Sequence, residues 1–401
     1  MTQIQQLANH HNFCVWSVHQ GGAVPFHAEN TRPDLANLST VDKIEWLGNN
    51  VLPLLPGNTQ GKIGIELHVR KELNAENMQP VMDVLMKHGL HMGMITPGLH
   101  HTCAQGGPMS LNKAERGRAA DTVKETVDLA YRMQEVWPKD MAPTLVLWNG
   151  GHNRLTQGPE IRDQWKLLVE ARADLYAYER DAGNRLYHGG ESKPNEGHPV
   201  LVPQTEPQEM KLVDSAMELA GISESERHRY GLNPETGHLC LVPGLDPAAT
   251  LAPYLDRIVH FHPNSQGEAP TGSTLGGPGM YDVDHEAKVN PLGITIAYML
   301  RESGFARMFG HDFQPRPSDT SDGLRQAAAR SVLAVETCWL VSDPTWGGNW
   351  QADRLKALAN NDVRKATDIL DDVHHEAHRI FREACITAGV GEASRFLSVT
   401  P

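Results

Sequence analysis

Short apolar or β-branched runs alternate along the chain with longer stretches whose apolar residues recur every three or four positions. The short runs predict strands at FCVWSV (13–18), KIGIEL (62–67), LHMGMI (90–95), TLVLW (144–148), RLYHGGE (185–191), HRYGLN (228–233), RIVHFH (257–262) and ARMFGHD (306–312). Between them a 3.6-residue period predicts helices. Over 118–136 it sets Ala120, Val123, Val127 and Ala130 on one face, and 159–182 and 206–221 read the same way. Strands alternating with helices predict an α/β fold, a (β/α)8 TIM barrel spanning residues 1–342. A doubly wound sheet that binds a dinucleotide would need G-x-G-x-x-G after a strand, and none follows; Gly106-Gly107 and Gly276-Gly277 lack that context. The Gly/Pro-rich stretch 265–280 predicts a loop on the strand-end side, where barrels keep their active sites.

From residue 343 the pattern changes. Trp346, Gly347, Gly348 and Trp350 lead into a helical tail (343–401) with Leu370, Val373, Ala377, Ile380 and Phe381 on one side. An apolar stripe beyond a complete barrel must pack somewhere, and a neighbouring subunit is the expected place, which makes the chain a homo-oligomer.

Composition narrows partners more than chemistry. The 401 residues can bury a full core, 40% of them are hydrophobic, and the net charge is −13, which opposes binding to nucleic acid or an anionic membrane. The five cysteines are scattered and show no C-x-x-C spacing, which argues against a disulfide framework and a Cys-ligated zinc. The first residues have neither the basic nor the apolar segment of a signal peptide, and no apolar run reaches the roughly 20 residues of a membrane span. The expectation is a reduced, cytoplasmic protein.

Chemistry gathers at the predicted strand ends. GLNPETGH (231–238) offers Glu235 and His238 three positions apart, a donor pair suited to Mg, Mn or Co. Glu191 ends the fifth strand and Lys193 follows it; His262 ends the seventh, Asp282 and Asp284 come next, and Asp312 ends the eighth. Strands of a barrel converge, so these groups are expected around one pocket, where cations must offset the repulsion of so many carboxylates. Two divalent ions bridged by one carboxylate satisfy the count. His100 and His101 fall at the end of the third strand, and His100 or His101 is expected to line the pocket. In HHEAH (374–378) His374 and His378 form an i, i+4 pair that is not H-E-x-x-H.

In this order and at these strand positions the segments resemble the xylose isomerase family of two-metal aldose–ketose isomerases. GGESKPNEGH (189–198), GLNPETGHL (231–239), VHFHPNSQ (259–266), YDVD (281–284) and HDFQPRPSD (311–319) are similar to its metal-binding segments. VWSVHQGGAVPFHAENTRP (15–33), GIELH (64–68) and LVLWNGG (145–151) resemble its opening strand, its ring-opening histidine segment and its tryptophan-bearing strand. The resemblance implies one metal held by Glu191, Glu235 and Asp312, with Glu235 bridging to a second held by His238, Asp282 and Asp284. It implies that Lys193 polarises the carbonyl oxygen, His68 assists ring opening and Asp284 accepts the hydroxyl proton. Trp16 and Trp148 would wall the pocket. Phe26 would reach into a neighbouring subunit's site in an oligomer, commonly a tetramer. The implied reaction is a metal-assisted hydride shift interconverting an aldose and a ketose of the xylose or glucose kind.

Three departures bear on substrate and reaction. His262 stands where the family has an aspartate ligand, and imidazole shifts preference away from Mg towards Mn, Co, Zn or Fe. His68 is followed by Val69, Arg70 and Lys71, so no carboxylate directly after it sets its tautomer. Residues 149–158 and the long 265–280 loop differ from the family's sequence. The alternative readings are another enzyme on this barrel (an epimerase, a lyase or a glycoside-cleaving enzyme) and a non-catalytic sugar-binding or scaffold protein.

Overall fold

Parallel strands covered on both faces read as unbroken apolar runs, and most of the runs above do fold as such strands. The computed structural model describes residues 3–18, 34–35, 37–103, 106–148, 159–194, 202–242, 244–264, 286–313 and 320–391. In chain order the strands and helices are β1 (His10–Cys14), α1 (Thr40–Asn50), β2 (Ile63–His68), α2 (Met78–His88), β3 (His91–Thr96), α3 (Leu99–Thr102), α4 (Lys113–Arg132), β4 (Thr144–Trp148), α5 (Ile161–Ala182), β5 (Tyr187–Glu191), α6 (Glu206–Ala220), β6 (Tyr230–Leu232), α7 (Thr236–Cys240), α8 (Pro247–Leu251), α9 (Pro291–Glu302), β7 (Met308–His311), α10 (Ser321–Val341), α11 (Trp350–Ala359) and α12 (Val363–Ala388). The strands form one parallel, curled sheet in the order β6-β5-β4-β3-β2-β1-β7. Sequence neighbours pair side by side, and the last strand returns to lie beside the first.

Residues 257–262, expected as a full strand, make isolated parallel bridges instead, Leu232↔Ile258 towards β6 and Phe261↔Phe309 towards β7. Backbone bonds nonetheless join it to both neighbours: Val259 N donates to Leu232 O at 3.0 Å, Phe261 N to Met308 O at 3.2 Å and Gly310 N to Phe261 O at 2.8 Å. The segment thus touches both edges of the sheet, β6 on one side and β7 on the other.

The first strand also differs from expectation. It is His10–Cys14, and Val15–Val18 form a turn of 3-10 helix, so Trp16 leaves the strand end on a turn. The pattern hid this because His10, His11 and Asn12 are polar yet buried. Their partners explain the burial: His11 Nε2 lies 2.8 Å from Glu336 Oε1 on α10, and Asn12 Nδ2 lies 3.1 Å from His260 Nε2. On α4 the buried face is Ala119, Val123, Val127 and Ala130, and Ala120 is exposed, a correction of one position.

Glu336 pins the start of the chain to α10, accepting Ala8 N at 2.8 Å and Asn9 N at 2.9 Å besides His11. Burial acts to raise its pKa, but His11 and the two backbone donors more than offset this, and the carboxyl sits below its ordinary 4.5. A group with a depressed folded pKa contributes stability that is full above the unfolded value and is lost as pH falls through the folded one. Glu336→Gln is therefore expected to unfold more easily at neutral pH and to lose less stability than wild type on acidification below about pH 4.5. Urea melts at pH 7 and pH 4 check this; equal losses in both proteins would contradict it.

In the tail, Val373, Ala377 and Ile380 of α12 are buried, with Leu370 and Phe381 packed partly against the same core. The stripe expected to face a neighbouring subunit is covered by its own chain, α10 and α9 among the elements it meets. Among the described residues no helix is long and apolar enough to cross a membrane.

Candidate metal and sugar site

The sequence-derived groups that can be placed lie at the carboxyl ends of the parallel strands. His68 ends β2, Trp148 ends β4, Glu191 ends β5 with Lys193 two residues on, and Asp312 directly follows β7. Glu235 precedes the one-turn helix α7, which carries His238, and a parallel bridge pairs Glu235 with His262. Phe26, Asp282, Asp284 and the loops 149–158 and 265–280 lie outside the described residues.

Glu191, Glu235 and His262 place ligand atoms within 4.8 Å of one another, and so do Glu66, His260 and His262. His262 is shared because it lies between carboxylates: Nδ1 is 3.2 Å from Glu235 Oε2, and Nε2 is 3.2 Å from Glu66 Oε2. It can ligate a metal only by giving up one of those contacts. Burial works against charge on this ring, but Glu66 and Glu235 more than offset it and hold its pKa well above the ordinary value. Burial likewise acts to raise Glu66, and His262 and His260 hold it well below the carboxylate range.

The two strand-end glutamates are driven apart. Burial, reinforced by Glu235 and Asp312, pushes Glu191 well above the ordinary value, although His262 and Lys193 oppose it. Burial pushes Glu235 the same way, but His238 and His262 prevail and hold it well below. Asn233 Nδ2 donates to Glu191 Oε2 at 2.6 Å, and Asn264 Nδ2 donates to Glu235 Oε1 at 2.8 Å.

His238 is placed to hold a metal. Its Nδ1 lies 3.1 Å from the carbonyl oxygen of Ser192, which requires a proton on Nδ1 and leaves the lone pair of the neutral ring on Nε2. That Nε2 is buried, makes no hydrogen bond and lies 2.9 Å from Glu235 Oε1. A lone pair on Nε2 facing a carboxylate oxygen repels it unless a cation joins them, which is a proton on the ring or, in its place, a metal ion. Their separation matches the roughly 3 Å between adjacent ligands of an octahedral ion with bonds near 2.1 Å. Carboxylate oxygen with imidazole nitrogen suits Mn, Co or Zn as well as Mg.

Around this centre, Trp16 Nε1 donates to Asp312 Oδ1 at 2.8 Å, and its ring lies 4.2 Å from that of His68. Lys193 is fully buried, with Nζ 5.4 Å from the Trp148 ring centre. His68 has the carboxylate partner that the residues directly after it do not supply. Its Nδ1 lies 2.8 Å from Glu72 Oε2, which also accepts the His68 backbone N–H at 2.8 Å. Arg70 makes this possible: its φ of 70° turns the chain back, and Val69 bridges to Leu73.

The pattern also missed Glu66, His260, Asn233 and Asn264. Glu66 and His260 stand two positions before His68 and His262, on the same strand face, and period 2 was the signal that could have found them. Gly310 is what leaves room for this layer, since a Cβ there would collide with Glu66 Oε1 and meet His262 Cδ2 at 2.5 Å. Gly310→Ala is expected to destabilise the fold by about 1–3 kcal/mol, as overpacked interiors do. Thermal or urea melting checks it, and an unchanged midpoint would show that the layer can give.

No family model matches the chain, and no curated protein does. Solved structures do. A putative xylose isomerase from Rhodospirillum rubrum superposes with a TM-score of 0.53 at 13% identity, covering 82% of this chain and 99% of that one. An L-ribulose 3-epimerase gives 0.49 at 15% identity, covering 93% and 98%. A xylose isomerase-like TIM barrel protein from Mycobacterium smegmatis, in complex with magnesium, gives 0.48 at 14% identity, covering 83% and 98%. The chain shares its fold with the xylose isomerase-like TIM barrel proteins.

Proposed function

We propose that the chain is a metal-dependent sugar isomerase that interconverts an aldose and a ketose of the xylose or glucose kind. The observation that carries this reading is the unbonded approach of His238 Nε2 to Glu235 Oε1, at 2.9 Å, in a buried cluster at the strand ends. In this reading residues 258–262 are the eighth stave of a (β/α)8 barrel, and the tail's exposed Leu355, Val363 and Ile386, not its covered stripe, are what it offers to subunit contacts of an oligomer. Glu191, Glu235, His238 and Asp312 hold divalent metal, with Asp282 and Asp284 completing a second ion's ligands. His262 serves as a cation between Glu66 and Glu235 more readily than as a ligand. Phe26 walls a neighbouring subunit's site.

A divalent ion bound there would polarise the sugar oxygens as a Lewis acid. The chain's own groups do the rest. Lys193 offers an ammonium to the carbonyl oxygen, where charge develops. His68, oriented by Glu72, moves the proton that opens the ring. Trp16 and Trp148 exclude water, which suppresses exchange with solvent.

One observation favours a second reading, epimerisation by proton transfer. Glu191 and Glu235, both buried, bring carboxylate oxygens within 4.8 Å of one another, and two carboxyls in different surroundings can act as acid and base. An aldose deuterated at C2 separates the two. A hydride shift leaves the label on C1 of the ketose, whereas proton transfer loses it to water. Absence of any ketose with Mg, Mn or Co would sink the isomerase reading.

A further inference from the structure

Three imidazoles meet at the ends of β2 and β3, apart from the carboxylate cluster. His68 ends β2, and His100 and His101 sit on α3 directly after β3. Gly98 brings them together: it has a φ of 57°, and a Cβ on it would meet His68 Cβ at 3.2 Å and His101 Cδ2 at 3.3 Å. The His68 ring centre lies 5.1 Å from that of His100 and 5.2 Å from that of His101, and the last two are 3.8 Å apart. Their ligand nitrogens all lie within 4.8 Å of one another.

We propose that His68, His100 and His101 form a further metal site, for one borderline divalent cation such as Zn(II) or Co(II). Three neutral imidazoles favour these ions over Mg, which prefers oxygen. Glu72 supplies what such a site needs behind it. By holding Nδ1 of His68 at 2.8 Å it fixes the ring and leaves Nε2 as the ligand atom, the carboxylate–histidine–metal arrangement. The three nitrogens, within 4.8 Å of one another, must draw in to the roughly 3.3 Å edge of a tetrahedral zinc site, and His101 is exposed. The proposal does not rest on the isomerase reading; where both hold, a metal on His68 Nε2 takes the nitrogen that would move the ring-opening proton, so the ion would inhibit that step.

Equilibrium dialysis of the metal-free, full-length protein against Zn(II), with metal counted by elemental analysis, tests it. The His101→Ala variant, which alters an exposed ring, is expected to bind one equivalent fewer than wild type. Glu235→Gln is expected to keep that equivalent. With Co(II), the visible absorption of a low-coordinate nitrogen site is expected in wild type and Glu235→Gln and absent from His101→Ala. Equal zinc content in wild type, His101→Ala and a His100→Ala/His101→Ala double variant would overturn the site. Failure of the carboxylate centre reads differently, as Glu235→Gln binding as much metal as wild type.

Discussion

Glu235→Gln is expected to leave less than about 1% of the proposed isomerase activity, because the proposed ion-binding centre loses its best-placed anion. Removing a group that only supports a metal ligand typically costs 10- to 100-fold in affinity or activity, and losing the ligand itself should cost more. Glu235 faces His238 Nε2 at 2.9 Å and His262 Nδ1 at 3.2 Å, so the neutral amide disturbs both. The loss should appear first in Mn(II) affinity measured by calorimetry, with the melting curve of the metal-free protein showing whether the fold survives. A variant that folds, binds Mn(II) as wild type does and retains activity would remove Glu235 from the centre.

Glu72→Gln is expected to lower kcat by about 100-fold while leaving Mn(II) affinity at the Glu235 centre unchanged. General acid–base catalysis contributes roughly 10²–10⁴-fold, and an imidazole that loses the carboxylate fixing its tautomer forfeits part of that. Glu72 is buried and meets both the ring and the backbone N–H of His68, so the amide keeps the shape and removes the charge. A ring-opened substrate analogue gives the sharper readout, since it should bypass the defect. Equal losses on cyclic and ring-opened substrates would assign Glu72 a structural role.

The strand-end candidate residues are legible in the sequence because each follows an apolar run that stops at a loop: KIGIEL before His68, RLYHGGE ending in Glu191, ARMFGHD ending in Asp312. Glu72 is not legible, because its approach depends on the left-handed turn at Arg70, which the residue types do not announce. The polar layer of His11, Glu66, His260 and His311 is hidden for another reason. Each is buried by partners on distant elements, as His11 is by Glu336 and His311, the latter at 2.9 Å. Apolar periodicity registers burial through hydrophobicity and is blind to burial through hydrogen bonding. For this reason the first strand starts at His10, three residues before the apolar run that predicts it. The tail's stripe is buried, as its pattern implies, but its cover lies within the chain on α9 and α10, which no local pattern reveals.

The most direct measurement is the conversion of C2-deuterated xylose and glucose by metal-stripped protein, followed by NMR before and after adding Mg, Mn or Co. The expected result is ketose only after metal is added, with deuterium retained at C1. Ketose formed equally without metal, or none formed with any of the three, would contradict a metal-dependent isomerase centred on Glu235 and His238.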